Sequence, residues 1–296
     1  YRGSVKKGDV ENRSMQLFLD FENADLNYHP DWPGLSEVKS LLVVDDVDVD
    51  AEVYSGKLLD SQIAQARVSV KPNTEGKGGL LSVVGALQGD ASDGLRILLE
   101  SPIHKSIGSS MDTWAFSGLM KTQLDLTVPL VAGEAGLHQS VSVELSSTHM
   151  KMNNLRLDAE DISGQILYSD DKGLRAKTLS ASLWDTPIEV DISSPKVEQG
   201  GRRTRVRVKG DMSVEPIEAW TGLPELSFLK GHSLFELSLD IPAPAEQSPH
   251  NAVLELHSQL QGIALDLPAP YGKSSQERLP LRLSAQASGS LVDYEL

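Results

Sequence analysis

The chain has 296 residues, 40% hydrophobic and 5% aromatic, with a formal net charge of −15 at pH 7. This hydrophobic content argues against a disordered chain, and the acidic charge argues against nucleic acid as a partner, because it repels phosphate backbones. The absence of cysteine excludes disulfides, thiolate metal sites and cysteine nucleophiles.

Apolar and polar residues alternate along most of the chain, a pattern that predicts strands with one apolar face. The first runs lie at 17–21 and 47–53, and the valines of the second alternate with aspartates. We therefore predict a mostly β protein. The alternating apolar residues of the later runs are Leu124, Leu126, Val128, Val141, Val143, Ile188, Val190, Ile192, Val206, Val208, Leu237, Leu239, Ile241, Leu281 and Leu283.

Two stretches predict short helices. The segment 90–100 is apolar enough for a helix that ends before Pro102, and 214–221 predicts one or two helical turns. Each of these segments follows a strand that contains glycine.

An internal repeat organises the chain. The spacing from Gly118 to Pro129, with apolar residues at alternate positions between them, recurs from Gly231 to Pro242. A period of about 110 residues indicates a duplicated β module. We therefore predict three units: 1–113, with a helix near 90–100; 114–226, with a helix near 214–221; and 227–296, a truncated copy.

A sheet formed by all of these strands has an apolar face that must be covered. Two short helices are too small to cover it. The sheet either folds over as an ordinary sandwich or stays open as a trough. We expect a long, curved, twisted antiparallel sheet that forms an elongated open groove, built from repeated β modules with one or two short helices. On the strand pattern alone, an ordinary sandwich core is the commoner outcome.

An acidic run beginning at Asp46 resembles the opening of a calcium-binding loop. However, Ala51 stands where that loop needs glycine, and Lys57 stands where it needs a bidentate glutamate. The alternating valines favour a strand with a solvated acidic face, and we predict no metal site.

A basic strand carries Arg205, Arg207 and Lys209 on one face. These side chains could meet lipid phosphates or an acidic neighbouring strand. A solvated outer face is the simpler interpretation, because charge on one face of an alternating strand is ordinary. No spacing of histidines, serines or carboxylates indicates a catalytic site, and we predict no enzyme activity and no cofactor.

Several segments together resemble one family. Phe21-Glu22-Asn23-Ala24-Asp25-Leu26-Asn27-Tyr28, followed by Trp32-Pro33-Gly34-Leu35, is similar to a segment of the YhdP branch of AsmA-like proteins. So are Gly56-Lys57-Leu58-Leu59-Asp60-Ser61, Asp93-Gly94-Leu95-Arg96, Leu124-Asp125-Leu126-Thr127-Val128-Pro129-Leu130 and Leu265-Asp266-Leu267-Pro268. The order of the segments agrees with that branch along most of the chain.

The resemblance implies a periplasmic section of a protein that is anchored in the inner membrane of a Gram-negative bacterium. Such proteins are expected to carry phospholipid toward the outer membrane along a hydrophobic β-groove, without catalysis. Both membranes would be contacted by regions outside this chain. The residues expected to line the groove are Leu124, Leu126, Val128, Val141, Val143, Val206, Val208, Leu237, Leu239 and Ile241.

Two other functions remain open at this stage. The chain could be a structural or assembly module of the envelope, with an ordinary β core and protein partners. It could also be a hydrolase of envelope glycans that uses two of its many carboxylates, although no spacing supports that.

Overall fold

The computed structural model describes residues 2–3, 13–104, 111–153, 155–198, 200–243, 252–268, 270–288 and 291–295. These residues form eighteen β-strands, two α-helices and one 3-10 turn. Sixteen strands belong to one antiparallel sheet that is not closed into a barrel. The predicted fold class, mostly β with an open antiparallel sheet and two short helices, is confirmed.

Two compact units divide the chain. Unit 1 comprises 1–145 and 167–170, and unit 2 comprises 146–166 and 171–296. The three-unit division inferred from the sequence repeat concerns duplication rather than compactness, and it stays a prediction.

Unit 1 begins with a two-residue ladder between β1 (Arg2–Gly3) and β2 (Arg13–Ser14). Six longer strands follow, each hydrogen-bonded to the next in the chain. They are β3 (Gln16–Leu26), β4 (Leu35–Asp45), β5 (Asp48–Leu58), β6 (Ser61–Pro72), β7 (Gly79–Asp90) and β8 (Trp114–Pro129). Strands β9 (His138–Met152) and β10 (Leu157–Ser169) contribute residues to both units.

Unit 2 continues with the same neighbour-to-neighbour pairing. The short strand β16 is the exception, because it pairs with the beginning of β14. The strands are β11 (Gly173–Leu183), β12 (Thr186–Ser193), β13 (Thr204–Ser213), β14 (Leu229–Ile241), β15 (Ala252–Ser258), β16 (Ile263–Leu265), β17 (Leu281–Ser288) and β18 (Leu291–Glu295).

Both helices connect antiparallel neighbours. Helix α1 (Ala91–Leu99) joins β7 to β8, and α2 (Val214–Thr221) leads through a 3-10 turn at Pro224–Phe228 into β14. Helix α2 ends at Gly222, whose left-handed backbone (φ 69°) suits a residue without a Cβ.

The repeated glycines occupy equivalent backbone conformations. Gly118 in β8 has φ 109° and Gly231 in β14 has φ 113°, each shortly after the helix of its unit. A Cβ at Gly231 would collide with the carbonyl of Gly262, so the close approach of β14 to that backbone requires glycine. The structure therefore repeats a strand–helix–strand arrangement at both glycines.

Candidate lipid-binding faces

One face of unit 1 is apolar across six strands. Residues directly opposite each other in an antiparallel pair lie on the same face, so the register identifies rows that cross the sheet. Three neighbouring rows run from β3 to β8. The first row is Leu17, Val44, Val49, Val70, Leu81 and Val128; the second is Leu19, Leu42, Ala51, Val68, Val83 and Leu126; the third is Phe21, Ser40, Val53, Ala66, Gly85 and Leu124.

Helix α1 closes one end of this face. Val38 is fully buried, and with Val53 and Ile63 it forms a packed cluster at that end. Met120 is also buried, and its sulfur lies close to Gly94 of the helix. A conventional core therefore exists at this end of the face, where residues of β3 to β7 pack on one another and α1 packs on β7 and β8.

A buried polar contact fixes the helix on the sheet. Ser61 Oγ donates a hydrogen bond of 2.6 Å to Asp93 Oδ2, and the two residues are 1% and 2% exposed. Gly89 lies directly against Ser61, because a Cβ at Gly89 would come within 2.8 Å of the Ser61 Cα. This close approach of β7 to β6 leaves room only for glycine.

Asp90 ties the start of the same helix to β8. One carboxylate oxygen accepts the Ser92 N–H at 2.9 Å, and the other accepts the Gly118 N–H at 2.9 Å. Burial alone would raise the pKa of the Asp90 carboxyl, but the hydrogen bonds from Ser92 and Gly118 outweigh burial and hold that pKa below its ordinary value. The repeated glycine of β8 is thus also a contact of the helix N-cap.

Away from α1 the same face is open. Leu17 is 43% exposed and Val128 is 37% exposed, although both belong to an all-apolar row. Within the described ranges, the other residues of the first two rows are half-buried, apart from the exposed Leu19. A covered sandwich face would bury these side chains as completely as Val38 is buried.

Unit 2 repeats this design. Three rows cross β11, β12, β13, β14, β15 and β17 on one face. The row farthest from α2 is Ala176, Ile192, Val206, Leu239, Leu254 and Ala285; the middle row is Leu179, Val190, Val208, Leu237, Leu256 and Leu283; the row nearest α2 is Ala181, Ile188, Gly210, Phe235, Ser258 and Leu281. From β12 to β17, every member of the far and middle rows is half-buried.

The helix end of unit 2 is again closed. Val214 of α2 packs with Leu260 and Ile263, which is 1% exposed. The loop that carries these residues is held by Lys273, whose Nζ donates to the carbonyl oxygens of Leu260 and Ile263, each at 2.7 Å. In both units, a short helix and its neighbours cover one end of an otherwise open apolar face.

The opposite faces are charged and internally paired. In unit 1, Arg67 on β6 pairs with Glu52 on β5 at 2.7 Å. In unit 2, Arg205 on β13 makes two hydrogen bonds to Asp240 on β14, of 2.8 and 3.1 Å. Such ladders of opposite charge suit a face that meets water.

The basic strand therefore meets an acidic neighbour on the outer face. Arg205 pairs with Asp240 and Lys209 with Glu236, at 2.8 and 3.3 Å. Arg207 lies on the same face, opposite Asp191 and Ser238. These three side chains point away from the apolar rows, so they are not placed to meet lipid phosphates beside acyl chains.

The predicted lining residues fall into two groups. Eight lie on the apolar faces defined by the register: Leu124, Leu126 and Val128 in unit 1, and Val206, Val208, Leu237, Leu239 and Ile241 in unit 2. Ile241 lies one step beyond the far row, opposite Thr204, and is 41% exposed. Val141 and Val143 alternate along β9 and are half-buried. The role of all ten residues as a lipid lining stays a prediction.

Sequence reasoning missed most members of the rows. Leu42 and Val44 lie in a run of four consecutive apolar residues, in which alternation is hidden. Val68 and Val70 do alternate, so the same signal could have identified them. Other members, such as Val49 and Val190, were identified as alternating strand residues, and the pairing register then placed them in the rows.

Asp46 and Val47, at the start of the acidic run, lie in the turn between β4 and β5. Val47, predicted as part of a strand, is 69% exposed there, and Asp46 has φ 54°. The carboxylate of Asp46 accepts the Met15 N–H at 2.7 Å. Among the described residues, no group of three or more histidine or carboxylate side chains is arranged to hold a metal ion.

The described part of the chain contains no helix that could span a membrane. Neither α1 nor α2 has the length and apolar character that crossing a bilayer requires.

These features define a class of protein: an open antiparallel sheet in which each unit keeps a half-exposed apolar face, closed at one end by a short helix. A family model described as YhdP protein matches residues 4–295. The chain belongs to the YhdP family. No curated protein and no solved structure matches it with significant similarity.

Proposed function

We propose that the apolar faces bind the acyl chains of phospholipids, and that the protein carries phospholipid between the inner and outer membranes of the Gram-negative envelope without catalysis. The observation that carries this proposal is the pair of aliphatic rows farthest from the helix in each unit, which are half-buried or exposed from β3 to β8 in unit 1 and from β12 to β17 in unit 2. Each methylene group that leaves water for such a surface contributes about 0.8 kcal/mol.

The chemistry of the rows favours acyl chains over a protein partner. Leucine, valine, isoleucine and alanine make up nearly all of them, and Phe21 and Phe235 are the only aromatic residues. Protein interfaces are instead enriched in tyrosine, tryptophan and arginine at their centres. Membership of the YhdP family also supports acyl chains as the ligand.

Movement of lipid would need no chemistry at these faces. Successive strands offer similar dispersion contacts, and the open rows contain no charged side chain that would hold one position tightly. A lipid can therefore exchange one row of contacts for the next with little change in free energy. We propose accordingly that the protein is not an enzyme and needs no cofactor.

Membership of the YhdP family supports a place in the cell envelope. We propose that this section lies in the periplasm, as part of a protein whose inner-membrane anchor and membrane contacts lie outside this chain. The charged outer faces would meet the aqueous periplasm while the apolar faces hold lipid.

The test places a carboxylate on the apolar faces. Leu126→Asp and Leu239→Asp should leave folding largely intact, because these positions are half-exposed, and should reduce the phospholipid that co-purifies from bacteria. Native mass spectrometry measures the lipid, and circular dichroism measures the fold. Gln123→Asp, on the outer face of β8, is the matched control and should retain wild-type lipid content.

Two results would contradict the proposal. If the wild-type protein co-purifies with no phospholipid, the proposal that the apolar faces bind acyl chains is wrong. Unfolding of both aspartate variants, with Gln123→Asp still folded, would indicate an ordinary packed core and favour a structural module with protein partners.

A further inference from the structure

The apolar face of unit 2 ends in two cations. The register of β12 with β13 continues beyond both strands, so that Lys196 lies opposite Arg202. Alternation from Ile192 through 194 to 196, and from Val206 through 204 to 202, places both residues on the apolar face. Lys196 and Arg202 form the edge of the apolar face at the end opposite α2, the cationic rim.

Arg202 is held in position by its surroundings. It donates to the carbonyl oxygen of Ser194 at 2.7 Å and also to that of Asp171. A Cβ at Gly173 (φ 69°) would come within 2.9 Å of Arg202 Cδ, so the stem of the side chain lies against the glycine. Both acceptors are neutral carbonyls, which orient the guanidinium without neutralising its charge.

The charge of this loop stands out in an acidic protein. Residues 194–203 carry Lys196, Arg202 and Arg203 against the single acid Glu198, a formal charge of +2 in a chain of −15. Lys196 is exposed. The corresponding end of unit 1 contains the turn after β4, with Asp45, Asp46 and Asp48. This turn of unit 1 therefore differs from the cationic rim in the sign of its charge.

The rim lies within reach of a lipid on the rows. Arg202 precedes Val206 by four positions in the chain. In extended backbone this corresponds to a distance of about 13 Å, at about 3.3 Å per residue. A phospholipid whose acyl chains cover the far and middle rows can thus bring its phosphate to Arg202. Arginine donates to phosphate through a planar fork, and lysine adds a point charge.

We propose that Lys196 and Arg202 bind the phosphate of a phospholipid whose acyl chains lie on the apolar face of unit 2. This proposal rests on the proposed function, because it takes the apolar face as the acyl-chain site. It adds an orientation: the headgroup lies at the hairpin end of the face, and the tails extend toward α2.

The experiment compares two ligands that carry the same fluorescent acyl chains: phosphatidylglycerol, and diacylglycerol, which lacks the phosphate. Lys196→Gln/Arg202→Gln should weaken phosphatidylglycerol binding about tenfold, equivalent to about 1.4 kcal/mol, and leave diacylglycerol binding unchanged. Arg207→Gln/Lys209→Gln removes two charges from the outer face of the same strand and should change neither affinity. Added salt should narrow the difference between the double variant and wild type.

A single variant guards against misfolding of the loop, since Arg202 also satisfies two carbonyls. Lys196→Gln alters only an exposed side chain and should weaken phosphatidylglycerol binding about threefold, with diacylglycerol unaffected. Equal losses for both ligands, or no loss for either, would overturn the assignment of the phosphate site.

Three outcomes distinguish a lipid phosphate from a free phosphate, and failure of the proposed function from failure of the present inference. If glycerol 3-phosphate alone binds wild-type protein as tightly as phosphatidylglycerol and is lost in the double variant, the rim is a site for free phosphates and the lipid assignment is wrong. If wild-type protein binds neither lipid, the proposed function itself fails. Binding of both lipids with no effect at the rim contradicts only the present inference.

Discussion

Two regions of one apolar face differ in what covers them. Val38 and Leu42 lie on the same face of β4, four residues apart. Val38 is fully buried within the packed cluster of strand residues, whereas Leu42 is half-buried in an open row. The sequence pattern is the same at both positions. Packing by side chains of the neighbouring strands, rather than strand alternation alone, therefore decides where a packed core forms.

The largest expected effect comes from adding a charge to each region. Val38→Asp should destabilise the protein by about 3 kcal/mol or more, because an unpaired carboxylate would be buried. Leu42→Asp should cost less than about 1 kcal/mol, because water reaches that position. Urea unfolding of both variants measures the difference. If Val38→Asp and Leu42→Asp lower the free energy of unfolding equally, the open rows behave as an ordinary core.

An intermediate effect is expected at the contact that holds α1 on the sheet. Ser61→Ala removes the buried donor to Asp93 and should cost about 1–3 kcal/mol. Ser69→Ala, on the outer face of the same strand, should change stability by less than about 0.5 kcal/mol. A double-mutant cycle with Asp93→Ala should give a clear coupling energy. Additive losses would show that the hydrogen bond does not fix the helix.

The smallest effect concerns the N-cap of α1. Asp90→Ala should cost about 1 kcal/mol near neutral pH. Because the folded pKa of Asp90 lies below its unfolded value of about 3.9, its carboxylate stabilises the fold above that unfolded value. The contribution is lost as the pH falls through the folded pKa, so the variant and wild type should converge in acid.

Urea unfolding of wild type and Asp90→Ala from pH 7 down to about pH 2 measures this convergence. Lys39→Ala, which removes an exposed ion pair with Glu22, serves as a control that leaves α1 unchanged. A difference that stays constant with pH would contradict the role given to the Asp90 charge.

Much of the fold could be predicted from local pattern. Alternation identified strands such as β8 and β14, because a side chain on a strand changes face at each residue. The helices were predictable from short apolar segments between strands. The failure at Val47 has a local cause: the alternation continues through it, but Asp46 adopts a left-handed conformation and starts a turn.

The candidate site was only partly predictable. Leu126 and Leu239 were identified because polar residues flank them on both sides. Leu41 to Val44 are all apolar, so only the pairing with β5 shows that Leu42 and Val44 face the rows. The cationic rim was not identified either. Lys196 and Arg202 become opposite each other only through the register of a hairpin, which no single-strand pattern specifies.

The pairing order has a consequence for how the chain acquires its structure. Apart from β16, each described strand from β3 to β8 and from β11 to β18 bonds to strands that are its neighbours along the chain. Mean sequence separation between paired residues is therefore small, and low contact order favours rapid folding. A nascent polypeptide can add one hairpin at a time to the growing edge of the sheet, before distant segments of the chain are available.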